Sequence, residues 1–218
     1  AYDSATAPKE AGNYTVTAVY DNSTHYGVAS KDFTITQKEV GLTWKTPGSL
    51  VYDGTAKTVT ATATGVVSGD TCAVNTTGAT AANAGTYTAT AAGLSNANYK
   101  LPVAKTYEYT IVKADRGLTI TPDSAKLTPV NASVTIEPTF SDADKSAEVR
   151  YTLTGAATAV TISGGKITAV GNGIVTVTVS IAATDNYNAA ADKICTITAI
   201  MQPVTGVAVV SSVVEDNL

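Results

Sequence analysis

The chain has 218 residues, 44% of them hydrophobic, enough for two or three small domains each with its own core. Eighteen acidic against fourteen basic residues leave a net charge of −4 with no Lys/Arg cluster, which argues against nucleic acid and against anionic membrane surfaces as partners. No apolar run is long enough to span a bilayer, so no membrane insertion is expected within these residues.

The chain opens inside a recurring pattern. The stretch "AGNYTVTAVYDNSTHYG" (11–27) returns as "AGTYTATAAGLSNANYK" from Ala84 and as "GNGIVTVTVSIAATDNYN" from Gly171. In each copy a Gly (Gly12, Gly85, Gly173) precedes a Tyr (Tyr26, Tyr99, Tyr187) by 14 residues. After each Tyr a short strand ends in an apolar-Thr-Ile step: "FTI" at 33–35, "YTI" at 109–111 and "CTI" at 195–197. The 14-residue interval is expected to measure a strand plus the turn that follows it. Residue 1 falls inside a repeat and "PVTGVAVVSSVVEDNL" starts another, so the chain is expected to be a piece of a longer protein.

Alternation assigns faces to these strands. Tyr14, Val16 and Ala18 oppose Thr15 and Thr17; Tyr87, Ala89 and Ala91 oppose Thr86, Thr88 and Thr90; Val175, Val177 and Val179 oppose Thr176 and Thr178. A period of two with threonine on the outer side predicts strands with one buried face. Between the repeats, "VYDGTAKTVTATATGVVSGDTCAVN" predicts strand, turn and strand with "GVVSGD" as the break. In "AVTISGGKITAVGNG" the pair Gly164-Gly165 predicts a two-residue hairpin, and "GNG" at 171–173 a turn. Pro47, Pro102, Pro122, Pro129 and Pro203 are expected at breaks and strand starts, where no ladder hydrogen bond is lost. "LPVAK" at 101–105 lacks the rest of a sortase signal and reads as strand. No stretch carries a helical period with caps. The fold class expected is all-β.

The steps "EAGNYTV" and "NAGTYTA" resemble the start of strand F in immunoglobulin-like sandwiches, where a Tyr hydroxyl bonds back to the backbone and closes a corner. That resemblance implies that Tyr14 and Tyr87 pin such corners, with the Tyr87 ring largely buried. In the third copy Val175 stands where the Tyr would be, so its corner must be held otherwise. Residues 40–113 resemble bacterial MBG ("mostly beta, glycine-rich") and YDG surface modules through "VYDGTAKTV", "SGDT", "NAGTYTATAAGLSNANYKL" and "YEYTIVKA". Residues 117–200 resemble a bacterial immunoglobulin-like group 2 module through "GGKITAVGNGIVTVTVS". The layout expected is the C-terminal part of an MBG-like module at 1–39, an MBG/YDG-like β-sandwich at 40–115, a bacterial Ig-like β-sandwich at 116–200 and a further module start or tail at 201–218. These are expected as tandem modules arranged end to end.

The residues that carry chemistry elsewhere are sparse. His25 is the single histidine and lies in the polar turn "DNSTHYG", which excludes multi-histidine metal sites and reads as a solvated turn residue. Cys72 and Cys195, in different repeats, are too few for a disulfide framework or a thiolate zinc site; both read as buried, unpaired small hydrophobes, Cys195 in the place held by Phe33 and Tyr109. Trp44, the single tryptophan, shares a side with Val40 and Leu42 and reads as a packing residue before a sugar-stacking platform. Asp142 and Asp144 in "SDADKS" lack a nearby third carboxylate for calcium. An isopeptide bond needs Lys, Asn and an acid packed in a core, and no such trio is placed by the sequence. No catalytic residue, cofactor or metal site is therefore expected. The function expected is a non-catalytic stalk or spacer of an extracellular bacterial surface or secreted adhesin-like protein, its partners being neighbouring modules and a host or microbial surface glycan or protein. The competing readings are a binding module for a host glycoprotein or polysaccharide, and an accessory region of a large extracellular glycoside hydrolase.

Overall fold

In the computed structural model the described residues are 6–128, 130–141, 144 and 146–201; the expected module start beyond Met201, and Asp142, Pro129 and Pro203, lie outside them. The chain divides into two compact units between Lys113 and Ala114. Both are all-β.

The first unit begins with a long hairpin of β1 (Gly12–Asp21) and β2 (Tyr26–Ile35). There follow β3 (Lys38–Glu39), β4 (Gly41–Lys45), β5 (Lys57–Thr58), β6 (Thr60–Thr64), β7 (Val74–Thr77), β8 (Thr80–Ala81), β9 (Gly85–Leu94), β10 (Tyr99–Lys100) and β11 (Thr106–Ile111). The central strand is β9, paired with β7 on one edge and β11 on the other; β4 pairs with β6, β5 with β8, and β3 runs parallel to β10. Ala89 and Ala91 on β9 are fully buried, whereas Thr86 and Thr88 face water. The outer face is held by hydroxyl pairs across strands, Thr86–Thr110 at 3.1 Å and Thr58–Thr80 at 3.0 Å. The inner face packs with Tyr109 and Ile111 against Val59 and Ala79, and Trp44, Leu50, Tyr52, Ala81, Tyr87 and Tyr107 close the rim.

The second unit contains β12 (Leu118–Thr121), β13 (Ser124–Leu127), β14 (Ser133–Thr135), β15 (Glu137–Phe140), β16 (Val149–Gly155), a 3-10 turn (Ala157–Ala159), β17 (Val160–Ser163), β18 (Lys166–Ala169), β19 (Gly173–Ile181) and β20 (Lys193–Ala199). One sheet has the order β13-β20-β19-β16, with β13 parallel to β20; a second has the order β14-β18-β17, and β12 pairs with β15. Val175, Val177 and Val179 of β19 have no exposure and meet Ile136, Ile167, Cys195 and Ile197 in one core shared by these sheets. Burial of each such Val or Ile is worth about 1.5–3 kcal/mol, so β19 is this unit's largest anchor. The hairpin at Gly164-Gly165 forms as expected: both residues take positive φ, 53° and 83°, and Ser163 pairs with Lys166.

Three expectations need correction. Residues 101–105 are an irregular segment between β10 and β11, with Val103 98% exposed; Pro102 supplies no N–H for a ladder there. Cys195 does not occupy the place of Tyr109. It pairs with Val177, four residues past Gly173, whereas Tyr109 pairs with Tyr87, two past Gly85. The structural equivalent of Tyr109 is Ile197, and because the slip is by an even number the buried parity survives. Cys72 is only half-buried.

Both cysteines are free thiols. Labelling of the denatured, unreduced protein is expected to find two thiols, and native labelling to reach Cys72 long before Cys195, whose burial also pushes its thiol pKa up. Equal native rates would mean that the core around β20 opens freely.

Candidate functional site

The repeated Gly-x-Tyr step builds the corners at which β1 and β9 begin. The Tyr14 hydroxyl donates to the Glu10 carbonyl at 2.8 Å, and the Tyr87 hydroxyl to the Asn83 carbonyl at 2.9 Å, each four residues back. Each ring stacks on its cross-strand partner with centroids 5.6 Å apart, Tyr14 on Phe33 and Tyr87 on Tyr109. A Cβ at Gly12 or Gly85 would lie 3.3 Å from the tyrosine oxygen, so glycine leaves room for the ring to fold back. Both rings are half-buried, less than expected for Tyr87, because the corner lies at the end of the core. In the third copy Val175 points into the core and backbone replaces the phenol. The Val170 and Gly171 amides both donate to Ala159, at 2.9 and 3.0 Å, and Ala156 donates to Ile174. A Cβ on Gly173 would stand 2.4 Å from that of Ala156, so the 3-10 turn packs where a side chain would otherwise be.

The second conserved-spacing residue, the Tyr 14 positions on, has a role that the interval alone did not reveal. Tyr26 starts the return strand directly, opposite Asp21. Tyr99 and Tyr187 instead leave the hairpin and form parallel bridges to the segment entering their unit's fold, Tyr99 to Lys38 and Tyr187 to Ala114. Lys38 donates to the Asn98 carbonyl at 2.9 Å and Ala114 to the Asn186 carbonyl at 3.0 Å, the same contact made twice by an Asn-Tyr step. The two tyrosines are then fixed differently. Tyr99 is 4% exposed; its hydroxyl donates to Asp70 at 2.6 Å, which raises its pKa, and accepts from the Val67 amide at 2.9 Å. The Tyr187 ring instead carries the guanidinium of Arg116, 4.8 Å from its centroid.

Arg116, whose side chain is wholly buried, is the functional-looking residue that sequence reasoning missed. It lies between Tyr187 and Phe140 and bonds Asp144 at 3.1 Å and the Thr184 hydroxyl at 3.2 Å. Asp144 also accepts from the Ser146 hydroxyl and amide and from Thr184, and these bonds, led by the Ser146 hydroxyl, hold its carboxyl well below the usual range. Asp144 therefore pairs with a buried cation supplied by the protein itself. Among the described residues, no group of three His, Cys, Asp or Glu side chains is placed to hold a metal ion.

The remaining singled-out residues are placed as follows. His25 is exposed, and Asn22 caps its turn by accepting from the Thr24 and His25 amides at 2.9 and 2.7 Å. Trp44 is half-buried and stacks on Tyr107 with centroids 5.5 Å apart and planes 14° apart, so each ring covers one face of the other. Lys57 is buried, and its ammonium meets the Asp53 carboxylate at 2.5 Å and the Thr55 hydroxyl. Asp53 caps its own turn through Thr55, and the Lys57 bond is the main reason its carboxyl lies well below the usual range. A cleft of about 340 Å³ lies between the β1–β2 corner and β10, lined by Glu10, Ile35, Lys38, Val67, Asp70 and Tyr99. It marks the seam where Ala11 and Gln37 bond the 97–98 turn.

Comparison with known families bears on the centre of the first unit. Residues 46–107 match the MBG domain (YGX type). The matched MBG segment spans the Asp53–Lys57 turn, the β9 corner at Tyr87 and the Tyr99 latch. No curated protein matches the chain.

Two outcomes follow from this geometry. Tyr87→Phe is expected to cost about 0.5–1.5 kcal/mol through the lost hydroxyl bond, and Tyr87→Ala about 2–3 kcal/mol, short of the roughly 3–5 kcal/mol of a fully buried aromatic. Urea melts of the three proteins measure this; an Ala variant as stable as the parent would make the corner dispensable. The carboxyls of Asp53 and Asp144 are depressed in the folded state, so their contribution is present above about pH 4, the ordinary carboxyl range, and is lost as pH falls below it. Melting temperature is expected to fall steeply below about pH 4, and Asp53→Asn to lower it at pH 7 while flattening the acid decline. A parallel acid profile for the variant would rule out the Asp53–Lys57 contribution.

Proposed function

We propose that this chain is a non-catalytic stalk or spacer of tandem immunoglobulin-like β-sandwich modules, the second unit being of the bacterial Ig-like group 2 kind, in an extracellular bacterial surface or secreted adhesin-like protein. The observation that carries this reading is how each fold grips the chain passing through it. Val112 is bridged to Val51 inside the first unit and Ala114 to Tyr187 inside the second, leaving Lys113 as the one residue between two hydrogen-bonded neighbours. A chain held at its own end by a backbone bridge within each unit suits a spacer through which tension passes. The MBG domain is a non-catalytic module family, which is compatible with this role. The charged groups Asp53–Lys57 and Arg116–Asp144 are each paired within their own unit. Trp44 and Tyr107 are stacked on each other at the core rim, which supports packing over sugar recognition.

The test has two arms. In single-molecule pulling the two units are expected to unfold in separate steps and refold on relaxation. On arrays of glycans and matrix proteins the chain is expected to show no saturable binding. Binding to a defined glycan that is lost in Trp44→Ala would overturn the spacer reading in favour of a binding module.

A further inference from the structure

We propose that the β1–β2 hairpin is a docking surface for a β half-module of the kind formed by residues 40–84. This inference rests on the internal repeat and is independent of the spacer reading. The hairpin and the β9–β11 pair share one register: Gly12 pairs with Ile35 and Tyr14 with Phe33, as Gly85 pairs with Ile111 and Tyr87 with Tyr109. Their outer faces are also alike. Thr15–Asp32, Thr17–Ser30 and Asn13–Thr34 bond across the hairpin at 2.6, 2.9 and 2.8 Å, matching the Thr86–Thr110 pair. The inner faces differ in one respect. In the second copy Ala89, Tyr109 and Ile111 are buried under Val59 and Ala79, whereas Val16 is 54% and Phe33 40% exposed. Lys31 stands opposite Val16, as Tyr107 stands opposite Ala89, at the rim that Trp44 covers.

A further observation points to the same occupant. β9 is hydrogen-bonded on both edges, to β11 and β7, while among the described residues β1 pairs only with β2. The edge open on β1 is the one that β7, within the 40–84 half, fills on β9. A bare apolar face and an open edge are the two places that a half-module of this kind occupies in the neighbouring copy. A two-stranded hairpin has little stability of its own in water, so such cover is also what would make it a folded module.

The experiment grafts the chain's own half-module in front of the hairpin. Two chimeras, residues 38–83 joined to Ala11 and residues 38–81 joined to Lys9, each continue through the rest of the chain and are compared with the intact protein by hydrogen exchange. At least one is expected to slow exchange at residues 14–18 and 33–35 by tenfold or more and to add a melting transition. Val16→Asp in that chimera is expected to erase both gains. Unchanged exchange in both chimeras overturns the proposal, as does sedimentation showing that the intact chain is a dimer dissociated by Val16→Asp, which would make a second copy the occupant.

Discussion

A strand with alanine or valine on one face and threonine on the other has to be covered once, on one side, and both units are organised around such a strand. β9 buries alanine, the smallest side chain that still buries apolar surface, so its covering layer can approach closely, and β19 buries valine. That closeness dictates much else. Tyr87, Tyr107 and Trp44 stand at the ends and rim of the first core and stack on neighbours, while Tyr109 is buried within it. Glycine recurs where the chain must pass near backbone: a Cβ at Gly78 would stand 2.4 Å from the Thr88 carbonyl oxygen. The outer threonines pair across strands, Thr86 with Thr110 and Thr58 with Thr80.

The entry of each fold is treated as carefully as its core. A parallel bridge from an Asn-Tyr step fixes the arriving segment in both units, but the side-chain chemistry behind it differs. The first uses a neutral phenol bonded to a carboxylate; the second uses a buried arginine sandwiched by rings and answered by Asp144. A buried ion pair of this sort contributes little net stability compared with apolar packing, yet losing either partner strands a charge. Its value lies in fixing one arrangement of the entering strand.

What could be read from the residues was parity and punctuation. Alternation placed Ala89, Val177 and Cys195 inward, and Gly164-Gly165 placed a hairpin, because both depend on near neighbours in sequence. The Tyr87 corner was legible for the same reason, its acceptor being four residues away. Register was not, since the slip by two at Cys195 is decided by partners across the sheet. The role of Tyr99 and Tyr187 depends on a segment some sixty to seventy residues earlier, and that of Arg116 on Asp144 and Thr184, which alternation cannot bring together. "LPVAK" shows the converse error: its place inside a repeat suggested a strand where the chain runs irregularly from β10 to β11.

The parallel pairing of β13 with β20 has a mechanical meaning. The strands lie side by side from Ser124–Thr196 to Leu127–Ala199, and the ladder is flanked by bonds from Thr196 to Asp123 and from Ile200 to Leu127. Tension entering at the start of β13 and leaving at the end of β20 draws two parallel neighbours in opposite directions along their common axis. The rungs between them are then loaded together in shear and cannot be peeled apart one after another, as those of an antiparallel hairpin pulled from its open end can be. The resistance of this ladder to stretching thus comes from strand direction.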